Sequence, residues 1–223
     1  MPLVFQQNIN EHTLMAIWET NEPIDFFLKA ADETTHINHP ERKKAHLAGR
    51  FLLKQIYPNL LDEDLLIAPT GKPIYKNNSF HYSIAHSGNF VVVIGSNEPV
   101  GIDIEFDGEK AASIQSKFMN DHELYLLSET TDLPKKDIPL LVWTIKESAY
   151  KWRGEKGIRF REQIILTELT VTDKHISMKL NLLDKAGAIN SINAQSFPFK
   201  NGWISWITAP HPVHLATDHS HLH

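Results

Sequence analysis

The most restrictive stretch of the chain is residues 136–153. There Ile138, Leu141, Val142, Ile145, Ala149 and Trp152 recur at helical spacing and define one apolar face. Such a face needs a core to lie against, and 223 residues of which 42% are apolar can fill one without disulfides or an obligatory partner. With Ile138 at 0° and ~100° per residue, Trp143 falls at ~140°, Glu147 at ~180° and Lys151 at ~220°, all opposite the core. Glu147 and Lys151 stand at i, i+4, and as a plain helix ion pair they would be worth roughly 0.2–0.5 kcal/mol. That pairing does not account for a tryptophan beside them on the polar side, which suits a cleft wall better than open water.

A second pattern lies upstream. After the break Asn97-Glu98-Pro99, the run Val100-Gly101-Ile102-Asp103-Ile104-Glu105 alternates as a strand does. Ile102 and Ile104 face one way, toward a core, and Asp103 and Glu105 face the other. Neighbouring carboxylates repel, and they persist when exposed or when a cation bridges them. The chain has no cysteine, which excludes a disulfide scaffold, a zinc ribbon, an iron–sulfur site and thiol catalysis. Any metal ligand is oxygen or imidazole, and Asp103, Glu105 and Glu147 together suit Mg²⁺ or Mn²⁺ rather than zinc. Taken alone, such a pair of acids is more often a solvated strand edge than a metal site.

The remaining elements fall around these two. Residues 40–58 read as a helix opened by Pro40 and closed by Tyr57-Pro58, with Lys43, Arg50 and Lys54 within ~40° of one another as a basic stripe. The turn Pro69-Thr70-Gly71-Lys72-Pro73 follows, then a hairpin over residues 80–94 around Ser87-Gly88-Asn89. After the helix come the glycine break Gly154-Glu155-Lys156-Gly157 and strands over 164–171, 176–182 and 203–208. The order of elements implies two related α+β halves of about 100 residues each, joined near residues 98–101. His86, at a strand end, adds with Arg50 and Lys72 an inventory of phosphate contacts. No P-loop or dinucleotide fingerprint is present. A net charge of -5 argues against a nucleic-acid binder. No leader-like or bilayer-spanning segment is read, so a soluble cytoplasmic protein without membrane association is expected. The tail, residues 211–223, carries five of the thirteen histidines and is expected to be a flexible end.

Four segments, Gly71-Lys72-Pro73, Ser83-Ile84-Ala85-His86-Ser87-Gly88, Val100 to Glu105, and Trp143-Thr144-Ile145-Lys146-Glu147-Ser148-Ala149-Tyr150-Lys151, resemble the ordered motifs of the Sfp-type 4′-phosphopantetheinyl transferases. The resemblance implies a pseudo-dimer of two similar α+β lobes with the site in the cleft between them. The lobes would span residues 1–98, with the coenzyme A contacts, and 99–210, with the metal acids and the catalytic helix. It also implies transfer of the phosphopantetheine arm of coenzyme A to a serine of an apo acyl or peptidyl carrier protein, by a monomer, with release of adenosine 3′,5′-bisphosphate. By position, Asp103, Glu105 and Glu147 correspond to Mg²⁺ ligands, Glu147 and Lys151 to the catalytic pair, and Arg50, Lys72 and His86 to coenzyme A contacts. Phe118, Met119, Leu124, Tyr125 and Leu127 are candidates for a carrier-docking strip or for ordinary core. The family commonly has serine where Ala85 stands, so one hydroxyl for a coenzyme A phosphate is missing. A non-catalytic coenzyme A or carrier-binding module and a Mg²⁺-dependent phosphohydrolase are the alternatives.

Overall fold

The hairpin is the organising unit of the first half. In the computed structural model, which describes residues 2–28, 37–129, 133–172 and 175–209, Gly88 takes φ 53° in the two-residue loop. Strands β1 (Leu3–Asn10), β2 (Thr13–Glu19), β3 (Leu65–Ile67), β4 (Pro73–Tyr75), β5 (His81–Ser87) and β6 (Phe90–Ser96) belong to this half. An antiparallel sheet runs in the order β1-β2-β6-β5, and β3 with β4 makes a separate two-stranded ribbon. Helix α1 (Ile24–Leu28) and helix α2 (Pro40–Ile56) cover one face of the sheet. Proline opens α2, as expected, and Leu47, Leu52 and Leu53 bury against Trp18, Phe27, Val91 and Val93. A Cβ on Gly49 would stand 2.5 Å from Ile84 Cγ2, so α2 lies directly on β5.

The second half begins at β7 (Val100–Glu105). It continues through α3 (Gly108–Ser113), α4 (Asp121–Ser128), α5 (Ile138–Arg153), α6 (Phe160–Gln163), β8 (Ile164–Val171), β9 (Ile176–Leu183), β10 (Ile189–Phe199) and β11 (Gly202–Thr208). Its antiparallel sheet has the order β7-β11-β10-β9-β8. Helix α5 starts at Ile138 with Pro139 in its first turn, two residues later than the expected span of 136–153, and ends on Gly154 at φ 68°. The α+β class is as expected. Strand β10 was not anticipated, because its inward positions read Asn190, Ile192, Ala194 and Ser196, too few of them large and apolar to mark a strand face.

Between the two larger sheets lies a shared core. Met15, Ile17, Ala85, Val92 and Ile94 of the first meet Val100, Ile102, Ile104, Ile204 and Trp206 of the second. The alternation of β7 therefore sends both isoleucines into this core and turns Asp103 and Glu105 toward α5. Helix and strand approach closely there: a Cβ on Gly101 would sit 2.1 Å from the Ser148 carbonyl oxygen and 2.5 Å from the Trp152 nitrogen. Glycine at that position lets α5 rest on β7 and brings its polar face up to the acids.

Candidate active site

Asp103, from the middle of β7, is buried, with its Oδ1 2.7 Å from the Nζ of Lys151 on α5. Its Oδ2 is also buried and has no hydrogen-bond partner. Burial pushes the Asp103 carboxyl up to about 6, against the pull of the Lys151 ammonium; Glu147 adds a smaller repulsion. Glu105, two residues on, accepts a hydrogen bond from Ser87 Oγ at 3.0 Å, which ties β7 to β5. Its carboxyl is raised by burial and by Asp103. Glu147, one turn before Lys151, is raised by burial, with Lys151 opposing and Glu105 reinforcing the shift.

The three predicted acids and the lysine thus share one electrostatic field, although among the described residues no three acidic or imidazole groups gather tightly enough to hold a metal. The donor set still fits a hard divalent cation. All three groups are oxygen ligands, and Asp103 presents a buried oxygen that nothing in the protein satisfies.

The predicted coenzyme A contacts are placed unequally. His86 stands near enough to the site for Lys151 and Arg42 to add to the effect of burial in lowering its pKa. Lys72 reaches across from the first half and donates from Nζ to the Trp152 carbonyl at 2.5 Å. Its stem lies over Gly154, where a Cβ would stand 2.3 Å from Lys72 Cδ, and burial lowers the ammonium to about 8. A reciprocal contact runs the other way, from Lys156 Nζ to the Pro69 carbonyl at 2.9 Å. Lys72 and Lys151 line one recess of about 200 Å³, with Tyr82, Ser83 and Tyr150 between them.

Arg50 is held differently. Its Nη2 is 3.5 Å from Asp62 Oδ1, and Lys54 Nζ lies 2.5 Å from Asp62 Oδ2. Two members of the expected basic stripe are therefore engaged by one carboxylate. The row that runs toward His86 is Arg42, His46 and Arg50, four residues apart on α2. The pKa of His46 is lowered by burial, then by Arg50 and His86. That i, i+4, i+8 spacing was available in the sequence but was obscured by Lys43 and Lys44 beside it.

Trp143 forms the wall expected of it. Its ring centroid is 5.1 Å from Phe118 and 5.6 Å from Phe160. With Glu147, Tyr150 and Ile158 these rings bound a second recess of about 610 Å³, with Lys117 and Arg159 also in its lining. Behind the wall stands a pair that the sequence reading missed. Lys146 Nζ lies 2.6 Å from Glu123 Oε1 with both side chains fully buried, and donates to the Phe118 and Phe160 carbonyls at 2.5 and 3.2 Å. Glu123 in turn accepts from the backbone N–H groups of Asn120 and Leu166, both at 2.8 Å.

The suggested docking strip divides. Phe118, Met119 and Leu127 are core, whereas Leu124 and Tyr125 are 41% and 69% exposed. Ala85 is buried between the sheets, so the hydroxyl missing there points at the shared core rather than into the Lys72–Lys151 recess. The histidine tail lies outside the described residues.

Residues 99–201 match the model of the 4′-phosphopantetheinyl transferase superfamily. The match contains the third and fourth motifs. The chain is similar to the 4′-phosphopantetheinyl transferase gsp of Aneurinibacillus migulanus, 34% identical over 111 residues, which is 49% of this chain and 46% of that protein. It is 32% identical to the 4′-phosphopantetheinyl transferase psf-1 of Bacillus pumilus over 121 residues, 51% of each chain. It is likewise 32% identical to the 4′-phosphopantetheinyl transferase ffp of Bacillus subtilis over 127 residues, 54% of this chain and 56% of that one. The aligned region spans about half the length of these curated relatives.

Proposed function

We propose that this chain is a 4′-phosphopantetheinyl transferase, moving the arm of coenzyme A to a serine of an apo acyl or peptidyl carrier protein and releasing adenosine 3′,5′-bisphosphate. The observation that carries the reading is the pairing of Glu147 and Lys151 on one face of α5 with Asp103 and Glu105 on the strand beneath. This constellation lies within the residues that match the superfamily model.

The reaction joins the serine oxygen to the β-phosphorus and breaks the bond from that phosphorus to the leaving nucleotide oxygen. The serine proton passes to the Glu147 carboxylate, which shares the polar face of α5 with Lys151. Positioned bases contribute about 10²–10⁴-fold. Lys151 neutralises charge on the leaving phosphate and supplies it a proton. Mg²⁺, with Mn²⁺ as a substitute, would be held by Asp103, Glu105 and Glu147 and would offset pyrophosphate charge. Lys72 and His86 hold the phosphates of coenzyme A, with Arg50 at the outer end of the same row, and the nucleotide occupies the recess between Lys72 and Lys151. The exposed Leu124 and Tyr125 on α4 receive the carrier.

The two-lobe reading, 1–98 and 99–210, is supported by a repeated pattern. In each half a strand, a helix and a later hairpin are arranged so that the hairpin's second strand pairs with the first strand: β2-β6-β5 and β7-β11-β10. We read the protein as a cytoplasmic monomer; no helix among the described residues is long and apolar enough to cross a membrane. A binding module needs neither a base nor its adjacent ammonium, and the comparisons favour transferases over the phosphohydrolase alternative.

The test is incubation with Mg²⁺, coenzyme A and apo carrier proteins of the fatty-acid, polyketide and peptide types, followed by mass spectrometry of the carrier. A gain of one phosphopantetheine arm is expected. No gain on any carrier rejects the proposal.

A further inference from the structure

Lys151 does something in this structure that the transfer step does not require: its ammonium is bonded to Asp103, 2.7 Å from Oδ1, while the other oxygen of that buried carboxylate has no partner. The groups facing Asp103 are Lys151 and Glu147 from α5, Glu105 from its own strand and Ser205 across the β7–β11 pair. Lys151 is therefore the one cation bonded to this set of three carboxylates among the described residues. It is also the more exposed partner. Its side chain is 28% exposed and that of Asp103 is 7%, and a four-carbon stem one turn from the helix end can swing without moving the backbone. A second place is ready for it, because Lys151 also lines the recess that Lys72 enters from the other side.

We infer that Lys151 is a resident counter-ion, occupying Asp103 until a divalent cation takes the carboxylate, and that lysine and cation compete for it. A doubly charged ion and an ammonium on neighbouring oxygens of one carboxylate repel, so the two do not bind together at full strength. Released, the ammonium turns into the recess, where an anionic phosphate oxygen replaces the carboxylate as its partner. Lys151 would thus link metal entry to phosphate binding. This inference rests on the transferase reading for the nature of the cation and the phosphate, but its primary readout does not involve transfer.

The experiment titrates Mn²⁺ into the full chain at pH 8 without coenzyme A and reads the free ion by electron paramagnetic resonance. Lys151→Met should bind Mn²⁺ about tenfold more tightly than the unaltered protein, the ratio expected on removing one competing charge-assisted bond. Lys151→Arg, which keeps the charge, should stay near the unaltered value, and Asp103→Asn should abolish the difference. Equal or weaker binding by Lys151→Met overturns the inference, as does absence of Mn²⁺ binding to every form. On the unaltered protein, the rate at which a small acylating reagent modifies Lys151 should rise when Mg²⁺ is added, and an unchanged rate also overturns it. Carrier loading assayed in parallel separates the two ideas. Intact transfer with no change in Mn²⁺ binding removes the counter-ion role alone, while no transfer removes the enzymatic reading.

Discussion

Helix α5 carries two lysines, five residues apart, each bonded to a buried carboxylate, and the two pairs are built to opposite ends. Lys146 and Glu123 are fully buried, and each partner is completed by backbone groups: two carbonyls for the lysine and two N–H groups for the glutamate. Lys151 and Asp103 are left incomplete, with one carboxylate oxygen unpartnered and the lysine partly in solvent. A saturated pair has no capacity left for a ligand, and its consequence is rigidity: it fixes the Phe118 and Phe160 segments against Trp143. An unsaturated pair retains capacity, and chemistry is expected there. Buried ion pairs are thus not one kind of object, and the count of remaining hydrogen bonds tells the two apart.

The comparison can be broken most forcefully at the open site. Glu147→Gln should lower arm transfer by about 10²–10⁴-fold, the range for loss of a positioned base, while a urea denaturation curve stays close to that of the unaltered protein. Lys146→Met should do the reverse in kind. Leaving Glu123 buried without its counter-charge should cost about 3–5 kcal/mol of unfolding free energy by the same urea measurement. Substituting Glu123 as well, by Leu, should recover part of that loss. If Lys146→Met leaves stability unchanged and removes activity, the division between the two pairs is wrong.

A smaller effect sharpens the contrast through pH. Asp103 has a folded pKa of about 6 against 3.8 for the free group, so between those values the folded state holds more protons than the unfolded state. Stability conferred by this group therefore rises as pH falls from above 6 to below 4. Measured as the difference between the unaltered protein and Asp103→Asn, the gain should be at most about 3 kcal/mol. Transfer should move the opposite way and decline as pH falls through about 6 and the acids take up protons. Parallel changes in stability and activity would remove Asp103 from the open site.

Much of this was legible in short-range pattern. The hairpin at Gly88, the alternation of Val100–Glu105 and the two faces of α5 each depend on neighbours within a few residues, and all three stand where the pattern puts them. The family resemblance drawn from four short motifs agrees with the superfamily match over 99–201. What was not legible depends on distant partners. Lys146 finds Glu123 because α4 lies on β8, where the Leu166 N–H holds the Glu123 carboxylate within reach of α5, and nothing near either residue announces it. Strand β10 hides its inward face because one inward residue is Ser196, whose hydroxyl is 2.6 Å from that of Ser205 and so fits a dry interior without being apolar. Arg50 reads as an open cation until Asp62, twelve residues later, is seen beside it.

The turn around Lys72 and the end of α5 are joined by two lysine–carbonyl bonds that run in opposite directions, Lys72 to Trp152 and Lys156 to Pro69. If Lys72 turns to a phosphate, the Trp152 carbonyl loses that ammonium while the bond from Lys156 to Pro69 remains. The affinity measured for such a ligand is then a difference, net of the bond surrendered. Filling this recess would therefore exchange a direct bond between the two halves of the chain for one carried through the ligand, held by Lys72 on one side and Lys151 on the other.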